Sequence, residues 1–374
     1  MEALRIVPRI YYFDTVQEFC EQFSLGSEDI IVTNSWIYEP YMKGLCPDVP
    51  VIFQEEYGNG EPTDQMIDRM AAAMKKYRYD RIIAFGGGTV IDLCKVLALE
   101  LPKESAMLFM QDTPLQKKKE LIAVPTTCGT GSEVTNVAIA EMTALHVKKG
   151  LAAEATYADI AVLITEPLMC LPDEVFAASS IDALIHALES YLSPKATPFT
   201  EMYSQAAAKF ILEGYRKIAE RGGNTGENRK DLLKDFCLAA DYAGIAFGNA
   251  GCAAVHALSY SIGGAFHIPH GEANYQFFTA VFQMYQKKKP NGKIAEVDKF
   301  LAEILGCDTG RVYDELAGLL NLLMVRRPLR EYGMTEAQIE EFTKSTVQNQ
   351  QRLLANNYVS LTEEEIKGIF RILY

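Results

Sequence analysis

Basic runs, paired cysteines and long apolar stretches are what this chain is short of, and each shortage removes a class of function. No basic run stands out beyond KKKE at 117–120 and KKKP at 287–290, and 36 basic against 49 acidic residues leave a formal charge of −13. Such a chain repels nucleic acid and anionic membrane surfaces, so neither is expected as a partner. Eight cysteines stand singly at 20, 46, 94, 128, 170, 237, 252 and 307 without a CxxC. That excludes a thiolate zinc motif and a disulfide framework, and predicts reduced thiols, mostly in the core. The opening MEALRIVPRIYYFD lacks the apolar core of a signal peptide, and no apolar run approaches the roughly 20 residues of a membrane span. A soluble, cytoplasmic protein is expected. Histidine is scarce as well, with five in 374 residues.

That scarcity makes histidine placement informative. His256, His267 and His270 all fall in AAVHALSYSIGGAFHIPHGEANY, 253–275, a segment otherwise apolar, Gly-rich and free of Lys or Arg. His186 stands four residues after Asp182 in SSIDALIHALESYL, which reads as a helix, so carboxylate and imidazole project from one face. Alone, such a pair is more often an exposed helix pair, and two histidines fourteen apart mean little. Together, Asp182, His186, His256 and His270 offer one oxygen and three imidazole nitrogens, a donor set that suits a divalent transition metal better than calcium or magnesium. Gly263, Gly264 and Pro269 are expected to break any helix between His256 and His270, turning the chain back so that both imidazoles reach one point. One buried metal ion is the expectation.

A chain of 374 residues exceeds the size at which one core keeps growing, so two domains are expected. Short β-rich apolar runs at 29–34, 49–53, 81–85, 121–125 and 159–164 alternate with helix-like segments such as 63–77 and 90–99. That alternation predicts a parallel sheet flanked by helices. From about Pro172 strand signals nearly vanish, and helices are expected at 199–220, 229–247, 293–305, 310–324, 335–355 and 362–373, with loops at 221–228 and 286–292.

Two Gly-rich stretches of the first half carry chemistry. RIIAFGGGTVIDLCKVLAL is a strand, three glycines (Gly86, Gly87, Gly88) and a helix opening near Thr89 with Asp92 in its first turn. Such glycines allow close backbone approach, and the free N–H groups of the helix start suit a phosphate, although a GGG alone also serves a plain strand-to-helix turn. VPTTCGTGSEVTN, 124–136, crowds Thr126, Thr127, Thr130, Ser132 and Thr135 around two glycines. A Ser/Thr-rich turn can satisfy its own backbone, but thirteen residues of this composition suit a nucleotide cradle better.

GGGTVID, PTTCGTGSEVT, the Asp182/His186 pair and the run from His256 to PHG at His270, in this order and over the whole chain, resemble the iron-containing (group III) alcohol dehydrogenases. DALIHALESYLSPKATPFTEMYS, DYAGIAFGNAG, AVHALSYSIGGAFHIPHGEANY and RPLREYGM are similar to the branch that acts on 4-hydroxybutyrate. The resemblance implies a Rossmann-like α/β dinucleotide-binding domain at 1–177, an all-α metal-binding domain at 178–374 and an active-site cleft between them. It implies NAD, with Fe(II) or Zn(II) on Asp182, His186, His256 and His270. The implied reaction is reversible hydride transfer between NAD(H) and a small alcohol, 4-hydroxybutyrate going to succinate semialdehyde, with the metal as Lewis acid. A short diol or primary alcohol is an alternative substrate. The dehydroquinate synthase relatives suggest a lyase instead, but PTTCGTGSEVT and the Asp182/His186 spacing match the dehydrogenases. A homo-oligomer, dimer or larger, is implied as well.

By the same resemblance Gly86, Gly87 and Gly88 with Thr89 take the pyrophosphate, Asp92 lies toward the nicotinamide, and Thr126, Thr127, Ser132 and Lys148, or the adjacent Lys149, line the rest. Two departures matter. Tyr260, in HALSY, stands where many members carry a further histidine, and either passes a proton or fills space. Asn34 stands at a strand end that is often Asp in NAD-specific relatives; an amide does not repel a 2′-phosphate, which leaves use of NADP open. His267, three residues before a metal ligand, is a candidate for the substrate carboxylate and equally for a core histidine.

Overall fold

The computed structural model describes residues 2–110, 114–145 and 147–374. They form two compact units, one of Ile6–Leu171 and one of Pro172–Tyr374 with the residues up to Arg5. In chain order the first holds β1 (Arg9–Phe13), α1 (Val16–Phe23), β2 (Asp29–Thr33), α2 (Ser35–Tyr41), β3 (Val51–Phe53), α3 (Asp64–Met74), β4 (Arg81–Gly86), α4 (Gly88–Leu97), α5 (Ala106–Met110), β5 (Glu120–Pro125), β6 (Val137–Met142), β7 (Val147–Ala152) and β8 (Ile160–Ile164). Six strands make one sheet in the order β1-β8-β5-β4-β2-β3, every pairing parallel.

The expected parallel sheet is therefore present, and its central strands are the apolar runs DIIVT, RIIAFG, LIAVP and IAVLI, as burial on both faces requires. Alternation sends Ile30, Val32, Ile82 and Ala84 into the core under α3 and α4, and Ile31, Ile83 and Phe85 into the core under α1. Three strands escaped the apolar-run reading. β1 is an edge strand with Arg9 and Ile10 exposed. β6 and β7 form an antiparallel pair, from Val137 opposite Ala152 to Met142 opposite Val147; β6 is buried only at alternate positions and β7 carries two lysines.

The second unit holds α6 (Asp173–Leu192), α7 (Pro198–Glu220), α8 (Gly226–Arg229), α9 (Leu233–Ala250), α10 (Ala254–Phe266), α11 (His270–Lys288), α12 (Lys293–Leu305), α13 (Val312–Asn321), α14 (Glu336–Asn349), α15 (Gln351–Leu354) and α16 (Glu363–Leu373), with no strand among the described residues. The helix expected at 293–305 is α12 to the residue. That expected at 229–247 starts later, because α8 and a 3₁₀ turn at Lys230–Leu232 intervene. The one expected at 335–355 is interrupted at Gln350, whose φ of −111° and ψ of 26° leave the helical region. The loop expected from 286 begins only after Lys288.

The expected break between His256 and His270 is present, with Pro269 at it, but the two glycines do not make it. α10 runs straight through Gly263 and Gly264, since a glycine costs a helix only about 1 kcal/mol and packing of the buried Gly263 outweighs it. The chain reverses three residues later, where His267 adopts φ 53° in the left-handed region and Pro269 precedes α11, a position that needs no N–H. α6 is buried almost without interruption from Ser180 to Leu192, which makes it the central helix of this unit. α11 lies so close to it that a Cβ at Gly271 would fall 2.2 Å from the Ala178 carbonyl oxygen.

Gly271→Ala is therefore expected to destabilise the helical unit by about 1–3 kcal/mol and to weaken metal binding, since it pushes His270 away from Asp182. Thermal melts and metal titration check this; wild-type behaviour in both would contradict the close approach.

Candidate functional site

α6 presents Asp182, His186 and Glu189 at i, i+4 and i+7, along one face. α10 adds His256 from its first turn, and α11 begins with His270. Donor atoms of Asp182, His186, His256 and His270 all lie within 4.8 Å of one another. His256 Nε2 stands 3.7 Å from Asp182 Oδ1, and His186 Nε2 stands 3.9 Å from Asp182 Oδ2. A tetrahedron with 2.1 Å bonds has edges of about 3.4 Å, so the four donors surround room for a single ion. All four residues expected from the sequence to bind metal are brought together.

The donor chemistry fits a cation. His256 Nδ1 lies 2.7 Å from Glu189 Oε2, which makes Nδ1 the protonated nitrogen and leaves Nε2 with a bare lone pair. Nε2 is buried and has no hydrogen-bond partner. A buried acceptor left bare beside a carboxylate calls for an explanation, and a bound cation supplies one. Burial by itself would push the Asp182 carboxyl up, but His186, His270, His256 and an Asn274 hydrogen bond together hold it below the ordinary range. Asp182, His186 and His256 are buried while His270 is only half-buried, so the centre is closed on the side of three ligands and open beside the fourth.

Two residues that hold the cluster were not singled out from the sequence. Glu189 is 1% exposed; its Oε1 accepts the Val255 N–H at 2.7 Å, and its Oε2 accepts the Ala253 N–H at 2.9 Å besides His256. One carboxylate thus caps the start of α10 and orients the ligand that α10 carries. Cys252 lies beside this pair, where burial pushes its thiol up. Asn274, fully buried one turn after His270, donates from Nδ2 to Asp182 Oδ1 at 2.7 Å, and its Oδ1 accepts from Ser259 at 2.5 Å. The spacings 182/186/189 and 270/274 were the available signals for both.

His186 stacks between Phe247 of α9, 4.1 Å away between centroids, and His256 at 4.7 Å. The Tyr260 ring lies 6.0 Å from that of His270, on the half-buried side. His267 is exposed and outside the cluster; it is a helix terminator rather than a core histidine.

In the α/β unit the two Gly-rich loops touch. A Cβ at Gly88 would fall 2.7 Å from Thr130 Cγ2, and one at Gly86 would fall 2.6 Å from Val90 Cγ2, so both glycines are needed for packing. The Thr126 N–H donates to Gly86 O, and Thr127 lies against Gly87. The start of α4 has no side-chain cap, which leaves its first N–H groups for an anion. Asp92 and Ser132 are bonded to each other at 2.5 Å, and Asp92 also accepts the Ile139 N–H at 2.9 Å. Beneath them Lys95, fully buried, donates to Ser132, Thr135 and the Val137 carbonyl, while burial pushes nearby Glu133 up to about 7. Asp92 and Ser132 therefore tie the loops together. Thr89 donates to Gly60 O at 3.3 Å, and Lys148 pairs with Glu61 at 2.5 Å. Asn34 is buried, its amide donating to Gln54 and Glu55.

Glu189→Gln is expected to weaken metal binding by about 10–100-fold, because an amide cannot accept from three N–H groups as the carboxylate does. Competition with a chromophoric chelator measures this; unchanged affinity would show that the Nδ1 contact is idle.

Comparison with known proteins agrees with this geometry. Residues 8–165 match the family model for iron-containing alcohol dehydrogenases, and residues 176–374 match the model for the C-terminal part of the same family. The chain is 50% identical over 374 residues to a 4-hydroxybutyrate dehydrogenase of Clostridium kluyveri, covering 100% of both. It is 32% identical to long-chain-alcohol dehydrogenase 1 of Geobacillus thermodenitrificans, covering 84% of this chain and 80% of the other. Among solved structures a 1,3-propanediol oxidoreductase superposes with a TM-score of 0.86 at 23% identity, covering 100% of both chains. A sulfoacetaldehyde reductase from Bifidobacterium kashiwanohense, in complex with NAD+, gives 0.84 at 22% identity, covering 100% of this chain and 98% of the other. By both halves of its sequence and by its Asp-and-three-His cluster, the chain belongs to the iron-containing alcohol dehydrogenase family.

Proposed function

We propose that the protein interconverts 4-hydroxybutyrate and succinate semialdehyde with NAD as hydride acceptor and a divalent ion, Fe(II) or Zn(II), at the four-residue cluster. The observation that carries this reading is the bare, buried Nε2 of His256 facing Asp182. The 50% identity to the Clostridium kluyveri enzyme over its full length supports the substrate.

A divalent ion at such a centre supplies Lewis acidity, making a bound hydroxyl more acidic and a carbonyl more electrophilic. The protein's part is to hold and to orient. Asp182 brings the one negative charge among the donors, and His186 is fixed between two aromatic rings. His256 is held in one tautomer by Glu189. His270 lies on the accessible side, where Tyr260 supplies a phenol able to pass the hydroxyl proton. In the α/β unit the uncapped start of α4 and the Gly86–Gly88 turn suit the pyrophosphate, with Thr89, Thr126, Thr127 and Lys148 around it and Asp92 and Ser132 locking the loops. Oxidation removes a hydride to NAD and releases one proton, so charge and atoms balance.

The proposal includes a homo-oligomer working in the cytoplasm. None of the eight cysteines is in a disulfide, which accords with a reducing compartment. Among the described residues no helix is long and apolar enough to cross a membrane.

The test loads the purified protein with Fe(II) or Zn(II) and follows NAD reduction on addition of 4-hydroxybutyrate. Turnover is expected with the metal and not after chelation, and His186→Ala and His270→Ala should lose metal and turnover yet still bind NADH. Turnover that survives chelation, or a short diol used better than 4-hydroxybutyrate, would overturn the reading.

A further inference from the structure

The carboxyl edge of the parallel sheet carries an acidic group that the motifs do not mark. β4 ends in the glycine turn, β2 lies beside it, and β3 lies beyond β2. In an open parallel sheet a dinucleotide runs over the carboxyl ends of the strands. Its pyrophosphate sits on the glycine turn, and its adenosine ribose sits over the neighbouring strand end, where an acid commonly accepts the 2′-hydroxyl. Here the residue after β2 is Asn34, a neutral amide, and by itself it would discriminate poorly between a ribose hydroxyl and a 2′-phosphate.

Asn34 is not available for that task. It is 6% exposed, and its Nδ2 is taken by Gln54 Oε1 at 3.1 Å and Glu55 Oε2 at 3.0 Å. The Ser35 N–H donates to Glu55 Oε1 at 2.8 Å. Glu55 follows β3 by two residues, yet both of its oxygens are drawn to the end of β2. Each oxygen accepts one hydrogen bond in this clamp and keeps lone-pair capacity for another. The side chain is only half-buried. Partial burial would push its carboxyl up, but the bonds from Ser35 and Asn34 hold it below the ordinary range, so it is ionised at neutral pH. A negative charge thus stands where the sequence motif has none, supplied by the next strand.

We propose that Glu55, clamped to the end of β2 by Asn34 and Ser35, is the residue that sets cofactor choice, accepting the adenosine ribose hydroxyls of NAD and repelling the 2′-phosphate of NADP. Asn34 is the holder of this carboxylate. The inference rests on the reading of this unit as a dinucleotide site, and it adds the chemical basis of selectivity. Like charges at contact distance repel strongly where water is partly excluded, and that repulsion falls on NADP alone.

The experiment measures dissociation constants of NADH and NADPH for the metal-loaded wild type, Glu55→Gln and Glu55→Arg. Energy transfer from Trp36 serves as readout: it is the single tryptophan, 64% exposed and two residues after Asn34. The ratio of kcat/KM with NAD to that with NADP is taken in parallel. Glu55→Gln should weaken NADH and tighten NADPH, changing the ratio by at least about tenfold, and Glu55→Arg should carry the change further in the same direction. A purely structural role would weaken both cofactors together in both variants, and that result overturns the proposal. So does a ratio within about twofold of wild type while NADH still binds, a case that leaves the dinucleotide site itself standing. If wild type binds neither cofactor, the underlying reading fails and the assignment of Glu55 fails with it.

Discussion

The carboxylate of Glu189 is the interaction on which the helical unit's chemistry depends. It lies on α6 one turn beyond His186, accepts the Ala253 and Val255 N–H groups at the start of α10, and holds the protonated Nδ1 of His256. Three consequences follow from one buried side chain. The start of α10, which has no capping side chain of its own, has the orphan N–H of Val255 and the N–H of Ala253 before it satisfied. The ring of His256 is fixed in orientation and tautomer, and Nε2 is left free on the side where Asp182 stands. Charge developing on the imidazole is balanced next to it, which makes His256 a better donor to a metal.

The remaining ligands are placed by steric fit and hydrogen bonding. Gly271 lets the backbone of α11 come against Ala178 of α6, which brings the first residue of α11, His270, to Asp182. Asn274 then spans the same two helices from inside, donating to Asp182 and accepting from Ser259 of α10. Three helices are thus pinned at one point by polar contacts that are nearly all made within the protein. The donor atom that stays bare, His256 Nε2, faces the centre of the cluster.

Much of this was legible in the sequence, for physical reasons that can be named. The four proposed ligands stood out because histidine is rare in this chain and because a spacing of four puts Asp182 and His186 on one helical face. The parallel sheet was legible because strands buried on both faces are continuous apolar runs. What escaped was whatever depends on partners distant in sequence. Glu189 reads as one more helical glutamate until α10 is seen to start beside it, and Glu55 reads as a loop acid until Asn34 and Ser35 are seen to hold it. The turn before His270 was expected from Gly263, Gly264 and Pro269; packing kept the two glycines helical, and the turn fell on His267–Pro269. β6 and β7 were hidden because a half-buried pair carrying lysines lacks the apolar signature. The hydrogen bond between Asp92 and Ser132, forty residues apart, was likewise not legible from the sequence.

Convergence of Asp182, His186, His256 and His270 on one ion, with Glu189 holding His256, is open to direct observation. A crystal of the metal-loaded protein, with diffraction recorded across the metal's absorption edge, tests it most directly. One anomalous peak is expected in the helical unit, about 2.0–2.2 Å from a donor atom of each of the four residues, with Nε2 as the donor of His256 and Nδ1 still on Glu189. A peak elsewhere, a ligand missing from the four, or His256 bound through Nδ1 would contradict it.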